Sequence, residues 1–185
     1  MPNPNPFRIP AQRVPLIEAG TIDLMSREWY RFLNRAPRYG SFYDTTTQTA
    51  AAINTPYAVT FNSETVAFAI QRGTPTSRIY VPDTSVYNIQ FSLQLDKTTG
   101  GVGLIYIWPR INGIDVPYSA GRARIQGNNA ELIAAWNFIL DMQGGSYFEL
   151  MWAVDTTSIQ IIAEPTTAFC PAIPSAILTV CEVAL

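Results

Sequence analysis

Histidine is absent from the 185 residues, and lysine occurs once, at Lys97. Histidine is the commonest general acid/base at neutral pH and the commonest metal ligand, so Ser-His-Asp, Cys-His and His-ligated metal chemistry are excluded together. Cysteine is nearly absent as well. Cys170 and Cys181 match neither a CxxC redox pair nor zinc-knuckle spacing, and the expectation is two small buried hydrophobes with no disulfide framework. No long hydrophobic run occurs: the longest, Val102 to Trp108, is far below the roughly 18 residues of a membrane span, and the N-terminus does not read as a signal peptide. The product is therefore expected to begin in a cytoplasm, without membrane insertion. Heptads and triple-stranded repeats are lacking too, which argues against a long fibre.

Charged residues make up only 14% of the chain, against 48% apolar residues, enough for one sizeable core. They are unevenly placed. Residues 1–38 carry six Arg and three acids, a balance of +3, whereas residues 39–185 carry six bases and eleven acids, a balance of −5. An acidic body offers no electrostatic footprint for nucleic acid, so no nucleic-acid partner is expected. The dominance of Arg over Lys suits forked contacts to carboxylates and backbone carbonyls on a protein partner.

Proline divides the chain in the same place. Six of fourteen prolines fall within residues 1–38, and the opening Pro-Asn alternation favours an extended arm. Inside that arm Met25, Trp29, Phe32 and Leu33 recur at helical spacing, with Asp23 or Ser26 as N-cap candidates. A helix of some ten residues is marginal alone, so its apolar stripe has to find a surface on the body or on a partner.

Residues 39–185 read as an all-β domain. In Val86 to Leu95 the residues Tyr87, Ile89, Phe91, Leu93 and Leu95 face one way, and Asn88, Gln90, Ser92 and Gln94 the other. Asn112-Gly113, between Val102–Ile111 and Ile114–Tyr118, predicts a two-residue hairpin turn of type I′. About ten such strands fit a sandwich. In Tyr147–Val154 the second face, Tyr147, Glu149 and Met151, is too apolar for open water, which suggests self-association. Most of Tyr87, Phe91, Trp108, Trp136, Phe138, Phe148 and Trp152 are expected in the core. Tyr43, Tyr118 and Phe169 are the loop aromatics expected to face a receptor.

Chemical motifs are scarce. Gly101-Val102-Gly103 lacks the helix that a dinucleotide site requires, and the DxDxDG calcium pattern is absent. Asp96, Asp115, Asp141, Glu149 and Asp155 sit mostly beside turn residues, where Asp bonds the backbone. No catalytic residue, metal or cofactor is expected.

The segment Ser26-Arg27-Glu28-Trp29-Tyr30-Arg31-Phe32-Leu33, after a Pro-rich start containing Arg13-Val14-Pro15-Leu16, resembles the N-terminal arm of small virion proteins of tailed bacteriophages. Gly40-Ser41-Phe42-Tyr43-Asp44, Val86-Tyr87-Asn88-Ile89-Gln90-Phe91, Ala135-Trp136-Asn137-Phe138 and Tyr147-Phe148-Glu149-Leu150-Met151-Trp152 are similar to a recurrent phage structural module. The resemblance implies a jelly-roll β-sandwich of the tumour necrosis factor and complement globular-head type, usually trimeric, behind an extended N-terminal arm with one short helix. It implies a virion structural protein rather than an enzyme. The first reading is a short tail fibre or fibre adaptor, and the alternatives are a capsid decoration protein and an adhesin for host surface glycans. Docking to tail or capsid proteins falls to Phe7, Arg8, Met25, Arg27, Trp29, Arg31, Phe32 and Leu33.

Overall fold

In the computed structural model, residues 36–183 are described; the arm and its helix therefore lie, apart from 36–38, outside the described residues. The described residues contain no helix, and so none long and apolar enough to cross a membrane. They form β1 (Tyr39–Asp44), β2 (Gln48–Thr49), β3 (Tyr57–Ala58), β4 (Ser63–Phe68), β5 (Gln71–Arg72), β6 (Ile79–Tyr80) and β7 (Ser85–Lys97). These are followed by β8 (Val102–Ile111), β9 (Ile114–Asp115), β10 (Gly121–Gln126), β11 (Ala130–Met142), β12 (Tyr147–Val154), β13 (Ile159–Ile161) and β14 (Ala176–Glu182).

The strands make two antiparallel seven-stranded sheets. The first runs β4-β1-β14-β7-β11, with β2 and β13 extending it at one end; the second runs β5-β6-β12-β8-β10, with β3 and β9 at its margins. Successive long strands change sheet, from β7 to β8, β10 to β11, β11 to β12 and β12 to β14, which is the winding of a jelly roll.

Period-two patterning produces the core. Tyr87, Ile89, Phe91, Leu93 and Leu95 of β7 are buried and belong to one cluster with Ile105 and Ile107 of β8 and Leu150, Trp152 and Val154 of β12. The Asn112-Gly113 turn forms as expected: both residues have positive φ, 49° and 81°, and Ile111 pairs directly with Ile114.

Three expectations are corrected, and Trp108 is an outward exception in an aromatic set that otherwise lies mostly in the core. Both faces of β12 are closed within the chain: Met151 and Ala153 are buried, and Glu149 accepts from the Ser77 hydroxyl at 2.8 Å beside Arg78, so this strand leaves no open apolar face. Trp108 points outward, half-buried, because the inward positions of β8 are Gly103, Ile105, Ile107 and Pro109; its indole N–H donates to Asp115. Cys181 is exposed, because the inward register of β14 belongs to Ala176, Leu178, Val180 and Glu182, and Cys170, in the loop that precedes β14, is half-buried. Tyr43 is a strand residue of β1, paired with Ile177 and Ser63, not a loop residue.

Candidate interaction surface

Chemistry has little foothold among the described residues. No group of three or more His, Cys, Asp or Glu side chains gathers there to hold a metal. Four of the five carboxylates singled out in the sequence are engaged separately: Asp96 with Gln160, Asp115 with Arg110 and Trp108, Glu149 with Ser77 and Arg78, Asp155 with the Leu104 backbone N–H.

What stands out is the outer face of the first sheet. Antiparallel register aligns its outward residues in cross-strand rows. One row is Phe68, Tyr39, Cys181, Asn88 and Ile139. The next is Val66, Ser41, Thr179, Gln90 and Asn137, and the third is Ser63, Tyr43, Ile177, Ser92 and Ala135. None of these positions carries a charge. The acids stand at the margins: Glu64, Glu131 and Asp141 on the two outermost strands, β4 and β11, and Asp96 at the end of β7, opposite Glu131.

Several large apolar side chains on this face are open to water. Ile139 is 64% exposed and Ile133 60%, while Val66, Phe68, Tyr39 and Ile177 are also exposed. Isolated exposed hydrophobics are ordinary, but a contiguous patch with uncharged polar fillers and charge only at the rim has the make-up of an interface core. The second sheet's outer face is different: Arg110, Arg122, Arg124 and Glu149 interrupt it.

The root of the arm is tied to the edge of the same sheet. Arg38 Nε meets Asp83 Oδ2 at 3.1 Å, its backbone N–H donates to Glu182 Oε2 at 3.2 Å, and its guanidinium lies 5.4 Å from the Phe68 ring centroid. Residues 36–38, which precede β1, thus lie at this end of the sheet.

Of the residues expected to recognise something, Phe7, Arg8, Met25, Arg27, Trp29, Arg31, Phe32 and Leu33 lie outside the described residues. Tyr118 and Phe169 are loop residues and stand fully or almost fully exposed, whereas Tyr43 belongs to the sheet face. Ile133, Ile139 and Thr179 carry no signal of their own in the sequence, and Cys181 is expected there as a buried hydrophobe. The available signal was the absence of charge at the polar positions Asn88, Gln90, Ser92 and Gln94.

No family model matches the chain, and none of the curated proteins matches it. Among solved structures, the crystal structure of murine APRIL, a jelly roll of the tumour necrosis factor type, is similar over 80% of this chain and 100% of its own, with a TM-score of 0.50 and 8% identity. At that identity the likeness is one of fold. The body is an all-β sandwich of two antiparallel sheets with a tumour-necrosis-factor-like jelly-roll neighbour.

Proposed function

We propose that this chain is a structural protein of a bacteriophage virion, a short tail fibre or fibre adaptor whose body self-associates as a homotrimer and whose arm, residues 1–38, docks to the particle. The observation that carries the self-association is the charge-free outer face of the first sheet, three rows deep, with Ile133 and Ile139 open to water. Burying such a face releases water from apolar surface without desolvating a single carboxylate or ammonium. Closed symmetric association is the common way to cover such a face, and a trimer is the assembly that the resemblance implies.

The bacteriophage assignment rests on the resemblance of the arm and body segments, and the docking role rests on the apolar stripe Met25, Trp29, Phe32 and Leu33 with the arm's net positive charge. A capsid decoration protein has the same physical requirements and differs only in where the arm docks. Two measurements test the reading. Sedimentation equilibrium of the full chain is expected to return three times the 20.5 kDa chain mass, and a monomer at micromolar concentration would remove the trimer. Antibody-gold labelling of particles is expected on the tail; label over the head would make it a decoration protein, and a particle that lacks the chain would end the virion reading.

A further inference from the structure

The second sheet carries a feature of a different kind. Each of the other described arginines has a partner: Arg38 meets Asp83, Arg78 meets Glu149, Arg110 meets Asp115, and Arg72 donates to the Phe61 carbonyl at 2.8 Å. Among the described residues, Arg122 and Arg124 alone of the arginines have neither an ion pair nor a hydrogen bond. They are successive outward residues of β10, so both guanidiniums rise from the same side of the sheet, while Ala123 and Ile125 face inward. Beside them on β8 stand Val102 and Leu104, and these four residues line an open cavity of about 460 Å³.

We propose that this cavity is a binding site for an acidic saccharide. Two unpaired guanidiniums in an otherwise acidic body present forked donors for a carboxylate or a phosphate, and arginine keeps its charge at every physiological pH. Val102 and Leu104 form an apolar wall against which the C–H face of a sugar ring packs. The volume falls within the range of about 300 to 1,000 Å³ typical of small-ligand sites. The four lining residues span one i to i+2 step on each strand, about 7 Å. That length accommodates one or two sugar rings. The carboxylate beside the cavity, Asp155, is turned to the backbone, where its Oδ1 accepts from the Leu104 N–H at 2.7 Å, and it pairs with neither arginine. This site is independent of the self-association above, which uses the opposite sheet.

The test is saturation-transfer NMR on the full chain with four probes at millimolar concentration: glucuronate, glucose 6-phosphate, glucose and tetraglutamate. Both acidic sugars are expected to receive saturation, glucose to bind at least about tenfold more weakly, and added salt to weaken the acidic sugars alone. Comparing the two acidic sugars tells whether a carboxylate or a phosphate is preferred. The double variant Arg122→Gln/Arg124→Gln is expected to lose at least about tenfold in affinity for them. Both side chains are exposed and unbonded, so the far-UV spectrum is expected to stay that of the wild type; should it not, the single variant Arg124→Gln carries the same reading. Equal binding of glucose and glucuronate, undiminished binding by the folded variant, or binding of no sugar at all would overturn the proposal. Binding of tetraglutamate in preference to the sugars would also overturn it, in favour of an acidic protein segment.

Discussion

Phe91 and Trp136 stand directly opposite each other in the β7–β11 pair and meet edge to face, ring centroids 4.6 Å apart and planes inclined by 74°. Phe138 stacks on Phe91 at 5.8 Å, so three aromatic rings fasten the outermost strand β11 to the centre of the sheet. On the other side of Trp136 lies Gly121 of β10. A Cβ there would stand 2.5 Å from Cζ2 of the indole.

This contact makes the two positions interdependent. Trp136→Ala is expected to lower the unfolding free energy by about 3 kcal/mol through loss of packing. Gly121→Ala is expected to cost about 1 to 3 kcal/mol by crowding the ring. Combined, they are expected to cost less than the sum, because the smaller side chain at position 136 makes room for the added methyl. Urea unfolding of the four proteins measures the coupling, and strict additivity would contradict the contact.

A second prediction concerns acid. Asp115 accepts from Arg110 Nε and from Trp108 Nε1, each at 2.7 Å. The bond from Arg110, then that from Trp108, holds the Asp115 carboxyl below its usual 3.8. A carboxyl whose folded pKa lies below its unfolded one adds stability that is fully present above the unfolded value. That stability fades as pH falls through the folded value. The pair is solvent-exposed, so the contribution is at most about 1 kcal/mol. The stability difference between wild type and Asp115→Asn is therefore expected to be constant above about pH 4 and to shrink below it. Denaturant titrations from pH 2 to 6 check this, and a difference that grows on acidification would reverse the sign.

The charge-free face gives a third. Thr179 occupies the middle of its central row, between Ser41 and Gln90. Thr179→Arg puts a cation where self-association leaves no water and no acid, and is expected to give a folded monomer by sedimentation velocity. Cys181 lies two residues along the same strand face and reports independently: its thiol is expected to react slowly with an aromatic disulfide reagent in the assembled wild type and rapidly in the variant. Fast reaction in both would mean that the face is open in solution.

Much of this architecture could be read from the residues, and the parts that could not share a cause. Tyr87 to Leu95 alternates so strictly that its inward face follows from the sequence, and Asn112-Gly113 dictates its own turn. Neither feature depends on knowing which strand is the neighbour. The candidate interaction surface does. Ile139, Asn88, Cys181 and Tyr39 are scattered along the chain and become one row only through the β11-β7-β14-β1 order. The closure of β12 is illegible for the same reason, since Ser77 and Arg78 approach Glu149 from a loop seventy-odd residues earlier. Arg122 and Arg124 carry no signature of their own in the sequence, because their lack of a partner is defined only by the fold that gives every other described arginine one.

For the arm, Trp29 is the largest apolar side chain in the expected stripe. Trp29→Ala is expected to leave the thermal transition of the body unchanged and to remove an anchor of about 2 to 4 kcal/mol, typical of a buried aromatic hot spot. Particles grown with the variant are then expected to carry much less of the chain by quantitative blot. Normal incorporation would locate the docking elsewhere.

The last prediction concerns Phe169, which a strand interruption places in solvent. β13 and β14 lie along one line beside β7, and the chain leaves that line between Ile162, whose N–H donates to the Gln94 carbonyl, and Ser175, whose carbonyl accepts from the Gln94 N–H. The excursion is braced at its base by the reciprocal Glu164–Ile173 backbone bonds, 2.9 and 3.0 Å, and near its tip by bonds from the Thr167 N–H to the Cys170 carbonyl and from the Cys170 N–H to the Thr167 hydroxyl. Phe169 sits inside that tip, 91% exposed. The bracing is backbone and hydroxyl, so the ring contributes nothing to it. Phe169→Ala is therefore expected to change stability by no more than about 0.5 kcal/mol, whereas Phe42→Ala, in the core, is expected to cost about 3 to 5 kcal/mol. Thermal denaturation of the two variants measures the contrast. A ring held outward at no benefit to the fold is free to serve contact, so the same Phe169→Ala protein, folded as the wild type, is expected to slow adsorption of particles to host cells if the loop faces a receptor. Unchanged adsorption would remove Phe169 from the recognition surface and leave Tyr118 as the exposed loop aromatic to test.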